Sequence, residues 1–135
     1  MTTPISIQST PLVKAAEQNS LKRVQELLLA GHNPNEGNKY ENSALAEAIF
    51  HGNIPMIKWL LRYGADPNAP ESEGFSAMYE LVRSPSPRSY CILKRLLKAG
   101  AEANTIVMKS PLLFHAIRHK NSKAVRILIK YGAHV

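Results

Sequence analysis

Apolar residues recur along this chain in the same order about every 33 residues. The first copy begins at Thr10 and reads TPLVKAAEQNSLKRVQELLLAGHNPN, and the second begins at Ser43 and reads SALAEAIFHGNIPMIKWLLRYGADPN. Weaker copies begin at Ser76 and Ser110. A unit this short cannot bury its own apolar side, so it must stack on its neighbours. The period therefore predicts a solenoid of short repeats that offers an extended surface to partners.

Each copy carries the signals of two short helices. A hydroxyl residue able to cap the first helix opens every copy, at Thr10, Ser43, Ser76 and Ser110. A polar break then caps the second helix, which closes at a glycine suited to a left-handed conformation: Gly31, Gly64, Gly100 and Gly132.

Helical spacing predicts one buried apolar stripe on each second helix. The predicted members are Val24, Leu27, Leu28, Ile57, Leu60, Leu61, Leu93, Leu96, Leu97, Val125, Leu128 and Ile129. Ile127 falls outside this stripe, and we expect it to face outward. These positions are structural core, which removes them from the functional candidates.

The pattern resembles the ankyrin-repeat family. The resemblance rests on a Thr-Pro-Leu helix start, an Ala-Ala pair, a Gly-Asn break, a Leu-Leu pair and a Gly-Ala-Asp-Pro-Asn ending, found here at Thr10-Pro11-Leu12, Ala15-Ala16, Gly52-Asn53, Leu60-Leu61 and Gly64-Ala65-Asp66-Pro67-Asn68. It covers residues 10–135 and implies an all-α fold, an ankyrin-repeat solenoid of stacked helix-turn-helix units joined by hairpin-like loops. We expect one domain over 1–135, with repeats at about 5–37, 38–70, 71–105 and 106–135.

Two irregularities break the period. The third copy has an insertion in Arg83–Ser89, where two prolines predict an end to the first helix and a longer turn before the second. The hairpin at Asn104–Lys109 is two residues shorter than its counterparts and unusually apolar. Such departures from a repeat are the places to look for function.

The net charge of +7 is unevenly distributed. Residues 1–75 hold six Lys or Arg and eight acids, whereas residues 76–135 hold eleven Lys or Arg and two acids, which gives −2 and +9. A basic half suits an acidic protein, a nucleic acid or an anionic membrane, and it also suits a solvated face. The single Cys91 excludes an intramolecular disulfide, and no signal peptide or membrane span is apparent. We expect a cytoplasmic protein, with the nucleus as an alternative.

No catalytic constellation can be assembled from these residues. Asp66 is the only aspartate and holds a repeat-defining position, and Cys91 has no cysteine partner and is expected to be a small buried residue. His115 and His119 have the spacing of metal ligands on one helix face but lack a third ligand, so surface or partner-contact roles are favoured. We therefore expect no enzyme activity, no metal and no cofactor.

The family resemblance implies a concave binding face with variable positions before each first helix and before each break between helices. On this chain those positions give the predicted protein-binding residues Lys39, Tyr40, Asn42, Phe50, His51, Phe75, Arg83, Met108, Lys109, Arg118 and His119. Packing between repeats is the alternative for Phe50 and Phe75.

The predicted function is a non-enzymatic protein-protein interaction module that binds an acidic or mixed acidic-apolar partner, and we expect a monomer. One alternative is electrostatic binding of nucleic acid or anionic lipid through the basic C-terminal half, although few aromatic residues lie among its basic ones to stack on bases. Another is an inhibitor or regulator of a partner enzyme, including a secreted effector of a pathogen.

Overall fold

The computed structural model describes residues 10–37, 43–68 and 77–134. They fall into two compact units, one within Met1–Phe75 and the other within Ser76–Val135. The first unit contains helices α1 (Pro11–Glu17), α2 (Leu21–Leu29), α3 (Ala44–His51) and α4 (Ile54–Arg62). The second contains α5 (Ala77–Arg83), α6 (Pro87–Lys98), strands β1 (Ile106–Val107) and β2 (Ser110–Pro111), α7 (Leu112–Arg118) and α8 (Ser122–Lys130). The predicted helical class is confirmed, and one of the predicted hairpin-like loops forms a small antiparallel hairpin, β1 paired with β2.

Helix starts follow the sequence signals closely. The Thr10 hydroxyl accepts a hydrogen bond from the Val13 amide, and the Ser43 hydroxyl accepts one from Ala46. Second helices are capped in the same way by Ser20, Asn53, Ser86 and Asn121. The fourth copy differs, because Ser110 lies in β2 and Pro111 takes the cap position without a side-chain hydrogen bond. Ser76 lies outside the described residues.

The four closing glycines end the second helices as predicted. Gly31, Gly64, Gly100 and Gly132 have φ angles of 96, 98, 108 and 101°. An added Cβ would meet no atom within 4 Å at any of them. Glycine is therefore favoured there by backbone conformation and not by lack of space.

Within each unit, the first helices of the two repeats pack against each other, and so do the second helices. In the first unit α1 contacts α3 and α2 contacts α4, while in the second α5 contacts α7 and α6 contacts α8. Most of the predicted stripe is buried, including Val24, Ile57 and Leu93 at 0% exposure. Leu61 is half-buried.

The predicted stripe of the last helix is wrong in two places. Ile129 is 43% exposed and Val125 is only half-buried, whereas Ile127, expected to face outward, is 6% exposed. The cause is the position of the neighbour. α2 packs against α4, which follows it in the repeat order, whereas α8 packs against α6, which precedes it. The neighbouring helix therefore covers opposite sides of α2 and α8.

The insertion in the third copy lengthens a helix and not the turn. As predicted, α5 ends at Arg83. The turn that follows has three residues, as many as the turn between α1 and α2, so the predicted longer turn is wrong. The extra residues form the first turn of α6, which has 12 residues where α2, α4 and α8 have nine. Proline fits this first turn because its missing amide hydrogen would have no partner there.

Candidate functional site

In the first unit, the predicted binding residues within the described part of the chain are Phe50 and His51, at the end of α3. Phe50 is 61% exposed, so the alternative of packing between repeats does not apply to it. Its ring meets the His51 imidazole edge-on, with centroids 5.5 Å apart. His51 Nε2 donates to the Glu17 carbonyl oxygen at 2.9 Å, which ties the end of α3 to the end of α1. The phenyl ring therefore projects from a backbone that is held in place.

In the second unit, α5 and α7 build a cluster of aromatic and histidine rings. The Tyr79 hydroxyl lies 2.9 Å from His119 Nε2. The Tyr79 ring meets the rings of His115 and His119 edge-on at 5.3 and 5.6 Å. His119 and Arg118 are exposed at this end of α7. Of the predicted residues, His119 is thus joined to α5, on which Arg83 also lies.

Arg83 is exposed but already paired. Its Nη1 lies 3.2 Å from Glu80 Oε1, one helical turn back, and both side chains are open to solvent. Exposed pairs of this kind contribute only about 0–1 kcal/mol, so a partner carboxylate can replace Glu80 at little cost.

The third hairpin presents Met108 and Lys109 at its tip. Both residues have positive φ, 46 and 68°, as a two-residue type I′ turn requires. Ile106 pairs with Pro111 and Val107 with Ser110. His115 is 5% exposed and donates from Nε2 to the Val107 carbonyl at 2.8 Å, so it anchors the hairpin to α7. Met108 and Ile106 are left 60% and 61% exposed.

This geometry corrects the surface role expected for His115. It is a buried structural residue, while His119 on the next turn is exposed and faces Tyr79. Within the described ranges, no group of three His, Cys, Asp or Glu residues could hold a metal ion. Cys91 is half-buried, not fully buried as the sequence predicted. Asp66 holds its own turn, because its Oδ1 accepts from the Asn68 amide at 2.9 Å.

Four of the predicted binding residues lie outside the described residues: Lys39, Tyr40, Asn42 and Phe75. Their assignment stays a prediction. None of the helices in the described parts of the chain is long and apolar enough to cross a membrane.

Sequence reasoning missed the junction built by Asn121. This residue is 1% exposed. Its Oδ1 accepts from the Tyr90 hydroxyl at 2.7 Å and from the Ala124 amide at 3.3 Å, and its Nδ2 donates to the Val82 carbonyl at 3.0 Å. The cap of α8 thereby also binds α5 and α6. The sequence signal that could have indicated this junction is the pairing of a tyrosine on α6, Tyr90, with a capping asparagine before α8, Asn121.

Comparison with known proteins agrees with this architecture. Residues 4–71 match the family described as ankyrin repeats in three copies. A crystal structure of an ankyrin repeat domain from Acinetobacter baumannii matches 95% of this chain with a TM-score of 0.83 and 26% identity, and the match covers 67% of that domain's chain.

Curated relatives are similar over part of their length. An ankyrin repeat protein of Rickettsia felis is 30% identical over 118 residues, which are 85% of this chain and 38% of the relative. Cyclin-dependent kinase inhibitor 2A of Monodelphis domestica is 38% identical over 66 residues, 49% of this chain and 38% of the relative. An ankyrin repeat protein of Acanthamoeba polyphaga mimivirus is 27% identical over 127 residues, 93% of this chain and 16% of the relative. The chain thus spans well under half the length of these relatives.

Proposed function

We propose that this chain, which belongs to the ankyrin-repeat family, is a non-enzymatic module that binds a partner protein or peptide through its first helices and loop tips. Ankyrin repeats are protein-protein interaction modules, and the solved domain it resembles has the same architecture. The proposed contact residues are Phe50, His51, Arg83, Met108, Lys109, Arg118 and His119 in the described residues, with Lys39, Tyr40, Asn42 and Phe75 beyond them.

The exposed ring of Phe50 carries this proposal. The equivalent position of α1 is Glu17, a residue suited to water, whereas Phe50 leaves 61% of its surface exposed. Aromatic side chains on a fixed backbone are favoured at the centre of interfaces, because they bury a large apolar area with little loss of conformational entropy. The hydrogen bond from His51 to the Glu17 carbonyl supplies that fixed backbone.

Charge and exposed apolar area together define the partner. Residues 76–135 carry +9, Lys109 is exposed at the apolar hairpin tip, and Arg118 is exposed at the end of α7. An acidic or mixed acidic-apolar protein surface complements this arrangement, and electrostatic attraction raises the rate of encounter. We place the protein in the cytoplasm as a monomer.

A second candidate role is inhibition of a partner enzyme. It is supported by one relative that is named as an inhibitor, cyclin-dependent kinase inhibitor 2A, which matches 49% of this chain. An effector of a pathogen that inhibits a host enzyme is one form of this role. Such an inhibitor would use the same binding surface, because covering the enzyme's surface is enough to block its activity.

The test compares Phe50→Ala with Leu29→Ala. Both residues are large, apolar and more than 60% exposed, but Leu29 lies on a second helix. Proteins captured by the immobilised native chain are identified, and the affinity of the captured partner for each variant is measured. We expect Phe50→Ala to weaken binding by about tenfold or more, as for a hot-spot residue, and Leu29→Ala to leave it unchanged. Loss with Leu29→Ala alone would move the interface to the second helices and refute the proposal.

A further inference from the structure

A basic pocket lies between α6 and α8 of the second unit. Its volume is about 350 Å³, within the range of small-molecule sites. Its walls include Tyr90, Cys91, Lys94, Arg95, Lys98 and Lys123. None of the predicted protein-binding residues belongs to it, so it is separate from the surface proposed above.

Helical spacing aligns the cations along the α6 wall. Tyr90, Lys94 and Lys98 follow one another at intervals of four residues and so share one face of the helix. Cys91 and Arg95 form the adjacent row. Two ammonium groups and a guanidinium are therefore presented from consecutive turns to the same hollow.

The fourth cation comes from α8 and is positioned by an aromatic ring. Lys123 Nζ lies 5.1 Å from the centre of the Tyr90 ring, in a cation–π contact. That ring is fixed in turn, because the Tyr90 hydroxyl donates to buried Asn121 at 2.7 Å. On the α8 side the pocket is thus lined by a lysine that contacts an aromatic ring.

Among the described residues, none of those that line the pocket is acidic. The sequence has no acidic residue between Glu80 and Glu102 or after Glu102. Arg95 Nε is buried and has no hydrogen-bond partner among the described residues. A buried donor on a charged group costs free energy unless an acceptor reaches it, and an anion in the pocket would be such an acceptor.

The insertion helps to build this site. Pro87, in the extra first turn of α6, also lines the pocket. The departure from the repeat thus lengthens the wall that carries the cations. A solvated basic face needs neither the added turn nor the fixed tyrosine.

We propose that this pocket binds a soluble small molecule that carries several phosphate groups. Lys94, Lys98 and Lys123 would neutralise its charge, and Arg95 Nε would donate a charge-assisted hydrogen bond to a phosphate oxygen. The inference is independent of the protein-binding function, since it uses other residues and a different face of the repeats.

The first measurement is calorimetric titration of the native protein with inorganic pyrophosphate and with inositol hexakisphosphate. The pocket variant is Lys94→Gln with Lys98→Gln, and the matched control is Arg126→Gln with Lys130→Gln, which removes the same charge from exposed positions on α8 outside the pocket. All four side chains are exposed, so both variants are expected to fold. We expect saturable binding with one site, weakened about tenfold or more by the pocket variant and less than about threefold by the control. Equal loss in both variants, or no binding to the native protein, would overturn the proposal.

The second measurement locates the ligand through Cys91. It is the single cysteine of the chain and lines the pocket, so its alkylation is followed unambiguously by mass. Bound inositol hexakisphosphate is expected to slow alkylation several-fold in the native protein and not in the pocket variant. An unchanged rate at saturating ligand would place the anion elsewhere and refute the site.

A vesicle experiment separates the two sources of a phosphate group. Phosphoinositide vesicles and soluble inositol hexakisphosphate are compared in competition. Displacement of the protein from vesicles by the soluble compound supports the proposed soluble ligand. Binding to vesicles that the soluble compound does not reverse would overturn it in favour of a membrane surface.

Discussion

In both units the loops of neighbouring repeats are joined by the same asparagine hydrogen bonds, which we call the loop joint. The hydrogen bonds at the breaks between helices differ between the two units. In the first unit Asn35 Nδ2 donates to the Gly64 carbonyl and its Oδ1 accepts from the Asp66 amide, at 3.0 and 2.7 Å. In the second, Asn104 makes the equivalent bonds to Gly132 and His134, at 3.2 and 2.8 Å. The loop joint therefore belongs to the repeat itself.

At the breaks between helices, the two units make different hydrogen bonds. In the first unit Asn53 donates to Asn19 at 2.9 Å on an exposed surface. In the second, the equivalent Asn121 is buried and joins Tyr90 to the Val82 carbonyl. The longer α6 supplies that tyrosine. A buried three-helix junction thus takes the place of the exposed amide pair, and its Tyr90 also lines the basic pocket.

The largest difference in the free energy of unfolding is expected between substitutions at the last position of the predicted apolar stripe in α2 and in α8. Leu28 and Ile129 each lie three residues before the closing glycine, but Leu28 is 2% exposed and Ile129 is 43% exposed. Leu28→Ala should lower the free energy of unfolding by about 3 kcal/mol through loss of buried area and a cavity, and Ile129→Ala by less than about 1 kcal/mol. Urea unfolding followed by circular dichroism measures both. Similar losses would mean that the two helices are covered on the same flank.

A smaller contrast is expected at the two capping asparagines. Asn121→Ala leaves the Tyr90 hydroxyl and Val82 carbonyl unpaired in the interior, so it should cost about 2 kcal/mol. Asn53→Ala removes a cap and an exposed bond and should cost about 1 kcal/mol. Tyr90→Phe serves as the control, because it removes one bond of the junction while the ring remains. Equal costs for the two asparagines would show that the buried junction adds no stability.

The smallest effect should be the same in both units. Asn35→Ala and Asn104→Ala each remove two exposed hydrogen bonds, and each should lower the free energy of unfolding by about 1 kcal/mol. Serine at the same positions is the control for side-chain size. Costs that differ widely between the two variants would contradict the view that the two units share one kind of loop joint.

Features of this fold that depend on residues within one helical turn were predictable from the sequence. Features that depend on packing against another helix were not. The caps at Thr10 and Ser43 and the glycine ends depend on residues within one turn, so their residue types suffice. Burial of Ile127 and exposure of Ile129 depend on which side of α8 carries a neighbour, which a repeat register does not record. The exposure of Phe50 likewise depends on tertiary packing, whereas the longer α6 follows from the local signals of Ser86 and Pro87.

The candidate sites divide in the same way. Variable positions of the repeat marked Phe50, His51 and His119, because the family pattern leaves them free. The buried role of His115 could not be read from its spacing to His119, since its partner is a backbone carbonyl of the hairpin. The pocket required knowledge that α8 places Lys123 over the Tyr90 ring.

The asparagine joints also have a consequence for how the repeats melt. The amide hydrogens of Asp66 and His134 are bonded to a side chain of the preceding repeat, Asn35 or Asn104, and not to their own helix. Opening one repeat therefore exposes an amide of the next to exchange with solvent, and protection is a property of pairs of repeats. Deuterium uptake at these two positions would report the cooperativity between neighbouring repeats, separately from the stability of any single helix.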